Sequence, residues 1–330
     1  MSNNVAESLV EKKKKIAVLK QYQGILIVLA VMIAAGAILS FDTFFTWSNF
    51  SNVLRQASII GIMAVGMTFV IISGGIDLSV GSNMILSSVF AAKFFLAYGD
   101  VAMMLIALAI GTAFGFVNGL MITKFKLPPF ILTLGMMSVG AGLTLIYTDA
   151  KIVTGYDAFT KTIGAGYIAD FLPIPVVIFI AVGIIGLILE KNTLFGRYSY
   201  AIGGNEEAAK LSAININKYK ILFYTFCGFL CGVAAIVMFS RMGSASAEIG
   251  KGSEMDVIAA VVIGGTAMSG GVGSVGGSMI GAIILQLATN ILNMLGVPSY
   301  AQQAFKGAII IAAIIIYQQQ AKMIAKKNMD

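Results

Sequence analysis

The sequence predicts an all-α membrane protein, a polytopic bundle of about ten transmembrane helices. Three observations predict it. Of the 330 residues 58% are hydrophobic and only 11% charged, and the mean hydropathy is +0.92. A soluble domain carries about 25% charged residues, and no soluble fold of this length hides that much apolar surface. Apolar runs of near-spanning length recur along the whole chain. The basic residues, finally, are confined to the tails and a few of the loops between the runs, as membrane topology demands.

Residues 1–20 are polar, with Lys12, Lys13, Lys14 and Lys15 in a row, and read as an N-terminal tail. Residues 21–318 read as the membrane domain and 319–330 as a C-terminal tail. Lysines ahead of the first apolar run, Tyr22–Phe41, are also the pattern of a cleaved signal peptide, with Ala34-Ala35-Gly36-Ala37 as small residues. The many apolar spans that follow make a retained first helix the simpler account. The others are expected at Ala57–Ser73, Ser79–Tyr98, Val101–Thr123, Pro129–Thr148, Pro173–Glu190, Tyr219–Ser240, Met255–Met268, Ser274–Leu295 and Tyr300–Tyr317. A crossing helix needs about 20 residues, so the second and eighth are short. Gly111, Gly115 and Gly119 share one helix face, as do Gly228 with Gly232 and Gly277 with Gly281. Such spacing allows close helix crossing and also reflects the general glycine content of membrane helices.

With the N-terminus placed inside and the spans alternating, fifteen Lys and Arg fall inside and five outside, while Lys93 and Lys306 lie within spans. That asymmetry predicts cytoplasmic termini and an even number of spans. The net charge of +7 therefore follows topology, and with no basic stripe interleaved with aromatics it does not point to nucleic acid. There is no histidine, which removes the commonest metal ligand and general base. Cys227 and Cys231, four apart in an apolar segment, read as buried apolar fillers rather than a disulfide or a metal site. No cofactor, metal or catalytic residue is expected, and a membrane enzyme is disfavoured.

Two loops are long enough for work of their own. The first, Asp149–Leu172, is expected outside. The second, 191–218, is expected inside and contains a short exposed helix. There Asn205 is a good N-cap, Glu206 and Glu207 occupy the first turn, and Ala208 and Ala209 leave a shallow surface that fits a partner's groove. The other reading of this loop is a solvated connector.

The segment Ser73–Ser82 (SGGIDLSVGS) resembles Ser269–Ser278 (SGGVGSVGGS), each following one apolar run and opening another. Gly-interrupted hydrophobic segments repeated in two halves point to a transporter's central site, commonly through broken helices. The expected spans put the copies six helices apart, which implies parallel rather than inverted copies unless a broken helix has changed the count. Asp77 in the first copy costs about 2.5–3.5 kcal/mol at the bilayer centre. It serves either as an acceptor for backbone N–H groups at the start of the third span or as part of a pathway. No second intramembrane carboxylate is evident to pair with it. Asn118, Gln286, Asn290 and Asn293 lie within spans, where amides bond either a sugar's hydroxyls or other helices.

The strings GMTFVIISGGIDLSVGS, GGNEEAAKLSAININKYK and DVIAAVVIGGTAMSGGVGSVGG together resemble the membrane permease subunits of bacterial ABC importers for monosaccharides, above all ribose permeases, with xylose and galactose permeases nearby. The likeness runs from about Phe44 to Tyr317. It implies a type II-like importer permease in the bacterial cytoplasmic (inner) membrane. It also implies a homodimer with a second permease copy, a separate ATP-binding subunit, and an extracytoplasmic sugar-binding protein that delivers the cargo. Glu206, Glu207, Ala208 and Ala209 match the acidic-Ala-Ala core of the loop that couples to the ATPase, with Asn205 as the cap before them, and Ala213 stands where such permeases usually carry Gly. Asp77, Ser79 and Ser82 match the family's GIDLSVGS segment. With Asn118, Gln286, Asn290 and Asn293 they are the candidate substrate path. No Walker A pattern occurs in the chain, so ATP hydrolysis is expected on a partner. Importers of nucleosides or branched-chain amino acids share the architecture and are separated only by substrate. An ion-coupled secondary transporter fits the repeat but not the docking-like loop.

Overall fold

A computed structural model describes residues 22–155, 157–308 and 311. Both predicted tails, Tyr156 and the far part of the tenth span lie outside the described residues. The chain is a polytopic bundle of α-helices, with eight helices among the described residues long and apolar enough to cross a membrane. These are α1 (Tyr22–Leu39), α3 (Trp47–Ile72), α4 (Val80–Tyr98), α5 (Asp100–Lys124), α6 (Pro129–Thr148), α8 (Ile174–Asn192), α11 (Ile216–Met242) and α13 (Val275–Met294). Shorter helices lie between them: α2 (Phe41–Phe44), α7 (Ala158–Ala165), α9 (Leu194–Gly204), α10 (Glu206–Leu211) and α12 (Ser253–Ile263). A last helix, α14, begins at 299 and is followed to 308.

Two expected spans differ from the structure. The second is not short: α3 has 26 residues and starts at Trp47. Its first turns carry Ser48, Asn49, Ser51, Asn52, Arg55 and Gln56, so apolarity alone finds only its second part. The Thr46 hydroxyl accepts from the Asn49 amide at 3.3 Å and starts the helix. The eighth span is a half-length helix: α12 has 11 residues, about 16 Å of rise, and stops at the Gly264-Gly265 turn. The region is therefore a broken helix beside the second glycine-rich copy.

α3 is the axis of the bundle, almost entirely buried between α11, α13, α8 and α12. The most extensive helix pairing is α5 with α11, made possible by the glycines singled out above. A Cβ on Gly115 would lie 2.2 Å from the Tyr224 carbonyl oxygen, and one on Gly228 would lie 2.3 Å from that of Gly111. Gly277 and Gly281 likewise seat α13 on α12, against Gly264 and Ala260. Apolar side chains of α6 and α8 such as Ile131, Ile146, Ile184 and Ile185 remain exposed; these are the surfaces a bilayer covers.

The bundle has an upper face, marked by α7, and a lower face, marked by α9 and α10. At the upper face β1 (Val153–Thr154) pairs antiparallel with β4 (Ser244–Ala245), and β2 (Tyr167–Ile168) with β3 (Leu172–Pro173). Asp157 caps α7 by accepting from the Thr160 amide at 2.8 Å, and this bond holds its carboxyl below the ordinary carboxylate range. The segment is tied to the top of α3: Arg55 donates to the Ala165 carbonyl at 2.8 Å and lies over the Tyr167 ring, and Trp47 stacks on Phe171.

Charges inside the bundle are more numerous than the sequence suggests. Besides Asp77, Glu190 near the end of α8 is buried. Asp256 on α12 forms an ion pair of 2.8 Å with Lys306 on α14. Neither acid pairs with Asp77, whose partners are Ser79 and Asn118. Both acids stand at the edges of apolar runs, just inside the expected spans Pro173–Glu190 and Met255–Met268.

Candidate functional site

The site begins at α10. Asn205 accepts from the Ala208 amide at 2.9 Å and caps the helix as its position predicts. Glu206 and Glu207 occupy the first turn, the positive end of the helix dipole. Glu206 also accepts from Lys220 of α11 at 2.7 Å, an exposed pair of small energetic weight. Ala209 is buried against the bundle, whereas Glu207 and Ala208 face outward. Leu211 is 89% exposed. Ala213 has φ 60°. The Ile214 amide reaches the Ala209 carbonyl at 3.2 Å and the Ala213 amide that of Lys210 at 3.0 Å, so α10 ends in a Schellman turn that glycine fits better than alanine. Beneath α10 lies a cleft of about 610 Å³, walled by Lys126, Pro129 and Ile216 among others.

One residue, Asn205, separates α10 from α9, a helix the sequence reading did not find. Phe195 at its start packs edge-on against Phe69 of α3 and Phe223 of α11, with ring centroids 4.9 and 4.8 Å apart. At its other end Gly203 presses on the end of α3, where a Cβ would lie 1.7 Å from the Ile72 carbonyl oxygen. That same oxygen accepts from the Gly271 amide at 2.8 Å. The backbone of Gly270 in turn lies against Gly74 and Gly203, and that of Gly271 against Gly204. The three glycine-containing strings of the sequence therefore meet at one junction on the lower face.

Two polar side chains fasten this junction. The single proton of the Tyr200 hydroxyl is shared between the Gly273 carbonyl, 2.8 Å away, and Glu190 Oε1, 3.1 Å away. Glu190 Oε2 accepts from the Val275 amide at 2.8 Å, so its carboxylate faces the first turn of α13. Burial, and the carboxylate beside it, push the Tyr200 phenol above its ordinary value and keep it a donor. Neither residue was singled out in the sequence. The available signal was a carboxylate at the end of an apolar run.

Asp77, Ser79 and Asn118 are brought together in the turn between α3 and α4, all buried. Asp77 Oδ1 accepts from the Ser79 amide at 2.9 Å and from its hydroxyl at 2.5 Å, an Asx-type turn. Asn118 of α5 donates to Ser79 Oγ at 2.8 Å and to Asp77 Oδ2 at 3.3 Å. Ser82 donates to the Ser79 carbonyl at 2.9 Å. Tyr224 donates to the Ile76 carbonyl at 3.0 Å and holds the same turn from α11.

The remaining candidates lie elsewhere. Asn290 exchanges two amide bonds with Asn49 of α3, at 2.7 and 3.2 Å, and Asn293 accepts from Gln302 at 2.8 Å. Both stand toward the upper face. Gln286 is buried on the same helix and makes no side-chain hydrogen bond among the described residues. No group of three or more His, Cys, Asp or Glu able to hold a metal occurs among the described residues.

Residues 49–314 match the family described as branched-chain amino acid transport system / permease component. The chain is 43% identical over 299 residues to the ribose import permease protein of Escherichia coli (strain K12), covering 89% of this chain and 92% of that protein. It is 41% identical over 276 residues to the ribose import permease protein of Bacillus subtilis, covering 83% and 85%. To the xylose transport system permease protein of Haemophilus influenzae it is 34% identical over 353 residues, covering 88% and 94%. No solved structure matches the chain.

Proposed function

Given that the chain belongs to the branched-chain amino acid transport system / permease component family, we propose that it is the membrane-spanning permease of an ATP-driven, binding-protein-dependent sugar importer, carrying ribose or a related monosaccharide. The single observation that carries the choice of sugar is the identity of 41–43% to ribose import permeases over most of the chain. The identity to a xylose permease is lower, at 34%. The protein is a transport subunit rather than an enzyme, and ATP is hydrolysed on a separate ATP-binding chain.

The short helix α10 is the docking element for that chain, through Asn205, Glu206, Glu207, Ala208 and Ala209, with Ala213 shaping its exit. Its support is physical: a capped helix with acidic first turn and small outward face, standing over a cleft, with Leu211 left bare beside it. A soluble sugar-binding protein supplies cargo at the upper face, and a second permease copy completes the path. The termini are cytoplasmic, and the membrane is the bacterial inner membrane. Residues 21–318 act as one permease unit with 191–218 as its coupling loop.

Ser82, Gln286 and the Asp77–Ser79–Asn118 cluster, with Asn290 and Asn293 nearer the upper face, are the proposed path lining. In the conformation seen, Asp77, Ser79 and Asn118 bond one another, while Asn118 Oδ1 has no partner among the described residues. A sugar meets them only when the α3–α4 turn opens.

The test is uptake in proteoliposomes holding the permease, its ATP-binding subunit and its binding protein, over a panel of pentoses, hexoses, nucleosides and branched-chain amino acids. ATP-dependent uptake of a pentose, ribose foremost, is expected. Uptake confined to leucine-like substrates or nucleosides would replace the sugar reading, and uptake without ATP would replace the importer class.

A further inference from the structure

We propose that Tyr200, Glu190 and Gly203 are positioning residues that fasten the α9–α10 unit to the Gly270–Val275 turn, so that a displacement of α10 reaches the end of α3 and the start of α13 together. The inference rests on the docking role given to α10 above and says how its movement enters the membrane.

The geometry points to a lever. α9 and α10 are separated by Asn205 alone, whose amide bonds back to Ala201 at 3.2 Å while its side chain caps α10. There is little slack between the two helices. Phe195, wedged between Phe69 and Phe223, anchors α9 at the end remote from α10. Along the lever, Gly203 touches the Ile72 carbonyl so closely that no side chain fits, and the Gly271 amide shares that oxygen. Tyr200 then reaches past this contact to Gly273, and Glu190 bridges Tyr200 to the Val275 amide.

The chemistry favours transmission over slip. Apolar contacts alone would let α9 slide over the glycine turns, because small residues present smooth surfaces. Directional bonds to Gly273 and Val275 set one register, and the carboxylate bond at the first turn of α13 is charge-assisted. The junction is half-buried and held from three segments remote in sequence. It therefore joins α3 to α13, the helices that carry the two glycine-rich repeats.

The experiment uses the complete complex of permease, ATP-binding subunit and binding protein in proteoliposomes, with the panel sugar that the wild type carries fastest. It reads sugar moved per ATP hydrolysed, alongside the amount of ATP-binding subunit that co-purifies. Tyr200→Phe removes one hydroxyl without steric change, and Glu190→Leu removes the bridge. Each is expected to lower the ratio about fivefold, the order set by losing one or two wholly or partly buried hydrogen bonds, with co-purification unchanged. Glu190→Gln keeps an acceptor for Val275 and a donor for Tyr200 and is expected to stay within about twofold of wild type. An unchanged ratio in Tyr200→Phe and Glu190→Leu overturns the proposal. So does loss of uptake in step with loss of assembled complex, which marks the residues as merely structural. A wild-type complex that recruits no ATP-binding subunit overturns the docking role of α10 instead, and this joint with it.

Discussion

Ala213 holds a left-handed backbone, φ 60°, at the exit of α10. An L-residue with a Cβ costs roughly 1–2 kcal/mol there. Ala213→Gly should stabilise the folded permease by about 1 kcal/mol even after glycine's greater freedom in the unfolded chain is counted. A rise in the detergent-solubilised melting point checks this, and a fall would place the turn elsewhere. Glu207 points away from the bundle, so Glu207→Lys should leave the fold intact while weakening capture of the ATP-binding subunit by about tenfold. Undiminished capture would remove α10 from the docking surface. The α10 residues were legible because a cap, its first turn and its exit are local in sequence. Tyr200 and Glu190 were not: their bonds to Gly273 and Val275 span loops of the fold, and a tyrosine in a polar loop looks like any other.

At the scale of elements, the apolar pattern located every long helix but misjudged two. α3 was cut short because its first turns are polar on the side facing α7 and α13. α12 was drawn too long because apolarity continues into a turn that bends away. Glycine spacing read the α5–α11 crossing correctly, since a backbone contact leaves a four-residue rhythm on both partners. The Asp256–Lys306 pair binds α14 to α12. In low dielectric the pair is near neutral in its own right, but each half alone is an uncompensated charge. Lys306→Met should therefore destabilise the protein by about 3 kcal/mol, and adding Asp256→Asn should recover most of the loss. A single variant as stable as wild type, by thermal unfolding, would show that the pair does not hold the terminal helix.

For the whole molecule, the repeat problem has a structural answer. α3 descends to the junction and α4 rises from it; α12 descends and α13 rises beside them, with Gly271 bonded to Ile72. Both copies turn on the lower face and are parallel, as their even offset suggests. Sidedness can be read with cysteine reporters, because Cys227 and Cys231 are fully buried and give little background. Lys210→Cys should react with an impermeant maleimide only from the cytoplasmic side, and Lys161→Cys only from outside. The reverse pattern would invert the topology that charge asymmetry predicts.

The shared carbonyl of Ile72 also has a consequence for how the protein is made. Its two neighbours, Gly203 and Gly271, are made 131 and 199 residues after it. The turn at the foot of α3 cannot close fully until Gly271 has been made. The early helices must sit in the bilayer with that seam unsealed until then. Premature termination anywhere before α13 leaves an open, unfinished product for quality control to remove.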